Sequence, residues 1–383
     1  MSKKALGLIV DKDGCVTLAG KPFYGMGVNW HGGFACGTLP KQFGREGFNI
    51  DEYIAPLSEN GIPFMRVMLG VFYANEVDNY LKTPDKFFTA MDEFIAASDK
   101  YKVGIIPSLM WNLSTFMEYY GEPVSEIGNK NSKGVKLAVR YVTDVVKRYK
   151  DSPAIWGWEI GNEGNLGADI GWIKESHPQF STNELNSYYK TIADAIRAAD
   201  SDRLIVAGDS EPRGSSKSLR TKQSWEPYDT YEDTMETVGL YTPAPLDCFS
   251  IHLYQYDKEI LRDFKSVLEK FIRITKELKV GLFVGEFGPD AFGFHNLLDE
   301  IGPGDPREQK ERTCFYAIWN AIMDTDTQLS AAWCYRRDEQ PSDGTSITPG
   351  GQNAYQWDSV VRANQRYAKE GKAFIKEYWE SVK

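Results

Sequence analysis

The sequence predicts an α/β protein: a single (β/α)8 barrel of the TIM type with an N-terminal β-hairpin. Eight short β-rich segments recur along the chain, at residues 23–30, 64–69, 103–110, 155–163, 204–209, 248–254, 282–286 and 329–335. Between them, apolar residues repeat at helical spacing, as in Val135, Ala138, Val142, Val145, Val146 and Tyr149. Eight βα units with short apolar strands suit a closed parallel barrel better than an open sheet. No stretch rich in Gly, Pro and Ser divides the chain and no internal repeat is visible, so residues 1–383 are expected to form one domain.

Residues 7–22 read as a hairpin around the Asp-Lys-Asp-Gly turn at 11–14, placed to cap the N-terminal face of the barrel. The first barrel strand ends Gly27-Val-Asn29-Trp30-His31, and the second carries Arg66. A helix is expected over 85–101. The third strand ends Trp111-Asn112, and the fourth runs into Asn162-Glu163. A helix over 182–199 leads to the fifth strand. A loop at 210–247, rich in Pro, Gly and aromatic residues, precedes the sixth strand, which ends His252-Leu-Tyr254. Leu261, Phe264, Val267, Leu268, Phe271 and Ile272 keep helical spacing before the seventh strand and its Glu286. Helices at 307–324 and 362–382 flank the eighth strand, which contains Trp333, and a second irregular loop at 340–357. Both long loops follow strand C-termini, the face where such barrels place their active sites.

The composition excludes several classes. Of 383 residues, 44 are basic and 54 acidic, giving a net charge of −10. That balance argues against nucleic acid, whose binding draws on clustered Lys and Arg. The apolar stretch at 5–10 is too short for a signal peptide core, and no run is long enough for a membrane helix. A secreted protein with its leader removed and a cytoplasmic one both fit. Five cysteines without CxxC spacing describe neither a disulfide framework nor a zinc site, and Cys248 and Cys334 fall in apolar runs that suit inert, buried thiols. Gly25-x-Gly27 lacks the third glycine of a dinucleotide fingerprint. His31, His177, His252 and His295 show no metal-binding spacing, so neither cofactor nor metal is expected.

The chemistry gathers at strand ends. Glu163 and Glu286 each follow a stretch too apolar to be a solvated face, and a buried carboxylate is costly without a partner. An ion pair with Arg66 is one explanation. The other is a pair of carboxylates facing each other across a cleft, which is what glycoside hydrolysis needs: one protonated, to donate to the leaving oxygen, and one ionised. The 10 Trp, 21 Tyr and 20 Phe favour the second reading, because aromatic faces stack on pyranose rings. Trp111, Trp172, Trp225, Tyr228, Tyr241, Phe294 and Trp357 fall in strand-end loops, although core packing explains any one of them as well.

WEIGNE at 158–163, HLY at 252–254, VGEFG at 284–288 and the Arg of FMRVML at 64–69 together resemble a clan A glycoside hydrolase, with family 5, the cellulase and mannanase family, the nearest. The resemblance runs in order through the hairpin and the strand ends to Trp333. It implies a retaining enzyme acting on a β-linked poly- or oligosaccharide of β-mannan or β-glucan type. Under it Glu163 matches the acid/base, Glu286 the nucleophile, Arg66 the arginine bonded to the nucleophile, and Asn162 the residue at the sugar 2-hydroxyl. His252 and Tyr254 match the pair beside the acid/base and the nucleophile, and Trp333 the platform under the −1 sugar. Trp111-Asn112 departs from a His-containing motif at the third strand and looks more mannanase-like than cellulase-like. Asn29 or His31 would line the −1 pocket. Trp158 and the second carboxylate are expected to raise the pKa of Glu163. Exo-action on short oligosaccharides and a non-catalytic carbohydrate-binding barrel are the competing readings.

Overall fold

The computed structural model describes residues 5–171, 180–256, 260–289, 306–336, 346–351 and 353–382. Trp172, His177, Phe294 and His295 lie outside them, as do residues 340–345 and 352 of the second irregular loop.

The chain begins with three antiparallel strands, β1 (Leu8–Val10), β2 (Val16–Leu18) and β3 (Lys21–Pro22). The third strand exceeds the expected two-stranded hairpin. Ala19 and Gly20 both take positive φ, 51° and 75°, and reverse the chain in two residues, the geometry favoured between twisted strands. Leu8, Val16 and Leu18 are fully buried. They face the N-terminal ends of the barrel strands: Leu8 N–H donates to Trp156 O (2.7 Å), and the Gln328 side chain bonds both backbone groups of Val16.

The barrel follows as β4 (Gly25–Trp30), β5 (Phe64–Val71), β6 (Gly104–Met110), β7 (Gly157–Glu159), β8 (Leu204–Val206), β9 (Cys248–Leu253), β10 (Gly281–Phe287) and β11 (Leu329–Ala332). All eight run parallel, and β11 pairs with β4 to close the ring. Regular pairing in β7 and β8 stops short of the expected 155–163 and 204–209. The backbone nevertheless stays joined, with Ile160, Gly161 and Glu163 N–H donating to Val206, Ala207 and Gly208 O.

Two irregularities aim side chains. In β5 the register against β6 slips between Met68 and Val71, where Gly70 crosses close to Leu109 O. In β10 an extra residue, Gly285, lets Glu286 pair with His252 of β9. Such bulges bend a strand and turn its side chains, and a Cβ at Gly285 would stand 3.0 Å from His252 Nε2, so a larger residue here would press on the imidazole.

The outer helices form where amphipathic periodicity and caps coincide. Lys133–Tyr149 is capped by the Ser132 hydroxyl, and Thr182–Ala199 by a Ser181/Glu184 capping box. The loop expected to be irregular at 210–247 holds two helices, Ser216–Lys222 and Tyr231–Tyr241. Their prolines lie outside the helical turns and had obscured the pattern. The helix expected over 362–382 divides into Ala354–Lys369 and Ile375–Ser381, broken at Gly371 with φ 69°. Asp51–Glu59, with Pro56 inside it, was not anticipated.

Candidate active site

Arg66 is the hub. It projects from β5 into the barrel, 1% exposed, and each edge of its guanidinium has a partner. Nε donates to both oxygens of Glu159 (2.9 and 2.7 Å), Nη1 to Asn29 Oδ1 (3.0 Å) and Glu286 Oε1 (2.6 Å), and Nη2 to Asn162 Oδ1 (2.7 Å). Burial works against its charge, but the two carboxylates outweigh that and push its pKa upward, so Arg66 stays cationic.

Glu286 is almost fully buried, and its other oxygen accepts from Tyr254 Oη at 2.7 Å. Burial, followed by the Glu286 charge and hydrogen bond, drives the Tyr254 pKa well up, so its hydroxyl remains a donor. Glu163 faces Glu286 with 30% of its side chain exposed, and its Oε1 lies 2.8 Å from His252 Nδ1. The same ring nitrogen is 3.5 Å from Glu286 Oε2. His252 Nε2 is buried without a described partner, whereas Nδ1 faces a carboxylate oxygen that, when ionised, can only accept. That places the proton on Nδ1, where it bridges towards both carboxylates. One oxygen from each glutamate and the His252 nitrogen all lie within 4.8 Å of one another.

The turn carrying Glu163 is strained and clamped. Glu163 adopts φ 49°, a left-handed conformation unusual for a side-chain-bearing residue. The end of β8 holds it: Glu163 N–H donates to Gly208 O, Asn165 N–H to Asp209 Oδ1, and the Asn165 amide exchanges hydrogen bonds with Ser210. Burial pushes the Asp209 carboxyl up to about 7 against the Tyr189 and Asn165 hydrogen bonds. Asp209 is thus a structural acid behind the cleft.

The expected elevation of Glu163 does not appear. Burial raises its pKa, but the His252 hydrogen bond and charge, then Arg66 and the Ser210 hydroxyl, outweigh it and leave it below the ordinary range. Trp158 cannot help, because Glu159 points inward and its strand neighbour therefore points out. There the indole donates to Asp200 at 2.9 Å.

The other expected residues separate into two sets. Trp111, Trp333 and His31 form one aromatic wall with Phe72: ring centroids are 6.1 Å apart for Trp111–Trp333, 5.3 Å for His31–Trp111 and 6.0 Å for His31–Trp333. Arg66 lies 5.1 Å from the Trp111 ring. Asn29 stands behind this pocket, with its amide nitrogen bonded to Gly285 O and Ala331 O. Asn112 donates to Phe72 O and steadies the wall. Trp225 is 46% exposed between the two helices of the 210–247 segment, and no described ring contact or hydrogen bond joins its side chain to the others. Tyr241 and Trp357 are core residues. Sequence reasoning missed Glu159, Phe72 and Asp209's role. Glu159 was legible, four residues before Glu163 between Trp158 and Ile160 on a buried strand.

Glu163, His252 and Glu286 are also the described residues spaced to hold a metal ion. Arg66 and Tyr254 already donate one to each Glu286 oxygen, and the oxygen nearer His252 is the one that accepts from Tyr254, so a cation there would compete with the Tyr254 hydroxyl.

The sequence profile of Cellulase (glycosyl hydrolase family 5) matches residues 16–322. The Aspergillus flavus protein named "Probable mannan endo-1,4-beta-mannosidase F" is 28% identical over 174 residues, 44% of this chain and 34% of that protein. This chain therefore spans about a third of the length of such fungal relatives. Mannan endo-1,4-beta-mannosidase 1 of Solanum lycopersicum is 24% identical over 321 residues, 75% of each chain. The crystal structure of the endo-1,4-beta-mannanase from Rhizomucor miehei shares the fold, with a TM-score of 0.69 at 17% identity over 95% of this chain and 99% of that one.

Proposed function

The chain belongs to the cellulase family, glycosyl hydrolase family 5, and from that premise we propose that it is a retaining β-glycoside hydrolase acting on β-1,4-linked mannan. The observation that carries the mechanism is the approach of Glu163 and Glu286, whose nearest oxygens lie within 4.8 Å. Inverting enzymes need roughly 6.5–9.5 Å between carboxyl groups to seat a water, whereas about 5 Å suits direct attack on the sugar.

Glu286 is the nucleophile. Arg66 and Tyr254 hold its oxygens in place, and one oxygen attacks the anomeric carbon. Glu163 gives its proton to the departing glycosidic oxygen. Once Glu286 is esterified, Glu163 takes a proton from water, which attacks the same carbon and releases Glu286. Asn162 accepts from Arg66 through Oδ1, so its NH2 is the group left to donate to the sugar 2-hydroxyl. Trp333 and Trp111 supply apolar faces for the −1 ring, and residues 1–383 act as one catalytic unit. The mannan preference is supported by the names of the Aspergillus and tomato relatives and by Trp111-Asn112 at the third barrel strand.

The test is mechanism-based labelling with 2-deoxy-2-fluoro-β-mannosyl fluoride and its glucosyl counterpart, read by intact mass and peptide mapping. One mannosyl adduct on Glu286 is the expected result. An adduct on another residue would overturn the assignment, and a glucosyl adduct alone would move the substrate to β-glucan. Product analysis on mannan separates endo-cleavage, which yields mixed oligosaccharides, from release of single mannose units.

A further inference from the structure

Arg66 carries one positive charge and meets two carboxylates, although Glu286 alone would balance it. Glu159 is the surplus. Its side chain is fully buried, and its described hydrogen bonds go to Arg66 Nε alone. A third buried charge is costly to desolvate, and a neutral side chain of this size would fill the space. The fold nevertheless makes room for it. Gly208 lies against the Glu159 side chain, where a Cβ would come within 2.9 Å of the carboxyl carbon.

We propose that Glu159 is a positioning residue for the double displacement, the permanent counter-ion that holds Arg66 while Glu286 gains and loses its charge. This rests on the retaining mechanism proposed above. When Glu286 bonds to the anomeric carbon, the glycosidic bond breaks, the proton of Glu163 goes to the leaving oxygen, and Glu286 becomes a neutral ester. Without Glu159, Arg66 would then be a buried cation with no ionised partner among its hydrogen-bond acceptors. With it, the pair Arg66–Glu159 remains neutral, and the guanidinium plane keeps presenting Nη1 to Glu286 and Nη2 to Asn162. In the resting enzyme Glu159 also shares the Arg66 charge with Glu286, so the guanidinium does not act on Glu286 alone.

The test is Glu159→Gln, which keeps an acceptor for Nε and removes the charge. Arg66 then acts on Glu286 undivided, making it harder to protonate and a weaker nucleophile but a better leaving group. The acid limb of kcat/KM on an activated aryl mannoside is expected to move down by about one pH unit. At the optimum kcat/KM should fall about 10- to 100-fold while kcat falls less, because release from the ester is favoured. A folded variant with its acid limb at the wild-type pH would overturn the proposal, whatever its residual rate. Glu159→Asp retains the charge and should keep the limb in place while lowering kcat/KM; a limb moved by a full unit there would overturn it equally, even if the Gln variant did not fold. Labelling of wild-type Glu286 by the fluoro sugar separates the two levels. Its absence would sink the mechanism and this role together, whereas its presence with an unmoved limb sinks this role alone.

Discussion

Glu163 shows how two neighbours decide what a carboxylate does. Its surroundings are apolar enough to raise its pKa, yet the His252 imidazole and the more distant Arg66 leave it lowered. As the proposed general acid Glu163 must be protonated to work, so activity towards unactivated glycosides should fall as pH rises through that lowered value, placing the optimum on the acid side. His252→Ala removes the dominant opposing contact. Burial then prevails, and the alkaline limb of kcat/KM should move to higher pH while the value at the optimum drops about 10- to 100-fold. A pH–rate profile checks this, and an alkaline limb that stayed put would show that His252 does not tune the acid. The types and order of Arg66, Asn162, Glu163, His252, Tyr254 and Glu286 were readable from the chain because each ends or lines a barrel strand. The direction of the Glu163 shift was not, since it depends on which ring nitrogen of a residue 89 positions away meets it. The backbone partners of Asn29 and Asn112 were hidden for a related reason: an asparagine at a strand end serves backbone carbonyls as readily as a sugar, and only the fold shows that these two amides donate to Gly285 O and Phe72 O.

Strands and helices were legible where their patterns were uninterrupted, and their boundaries failed where a glycine or proline intervened. The 182–199 helix matches its expected limits because a capping box announces its start. The hidden feature is the bulge at Gly285. A strict two-residue alternation cannot reveal where an extra residue shifts the register, yet that shift sets Glu286 beside His252. The joint between β7 and β8 is similarly unforgiving. Gly208 has φ 88°, and a Cβ there would lie 1.9 Å from Gly161 O, closer than any packing adjustment allows. Gly208→Ala must therefore push the two strand ends apart, lengthening the Glu163 N–H to Gly208 O bond that fixes the turn carrying Glu163. The expected outcome is a loss of about 3 kcal/mol or more of stability and at least a 100-fold fall in kcat in whatever folds. Denaturant unfolding and steady-state kinetics measure both, and near-wild-type values would show that the turn is held from elsewhere.

Across the whole molecule the two ends of the barrel carry different burdens. The C-terminal ends bear the charged, strained cluster around Arg66, whereas the N-terminal ends are closed by apolar packing. Phe23 meets Trp156 edge-on at 5.5 Å, Trp156 meets Tyr378 at 5.5 Å, and the Tyr378 hydroxyl accepts from Gly7 N–H and donates to Pro153 O. The first residues of the chain and its last helix thus meet under the same tryptophan, at the opposite end of β7 from Glu163. Removing residues 1–18 strips Leu8, Val16 and Leu18 from this floor. At roughly 1.5–3 kcal/mol for each fully buried side chain, the loss should be about 5 kcal/mol or somewhat more, a large share of the 5–15 kcal/mol by which ordinary domains are stable. The truncated protein should therefore melt about 6 °C or more below the full chain. At 20 °C, where it remains folded, its KM and kcat should stay within about twofold of the full chain, because no residue of the 1–18 segment approaches the Arg66 cluster through a described hydrogen bond. Thermal unfolding alongside steady-state kinetics on an aryl mannoside tests this division. An unchanged melting temperature would mean that the three-stranded sheet only decorates the barrel. Lost activity in a folded truncation would mean that packing at the floor is transmitted along β7 to the turn that carries Glu163.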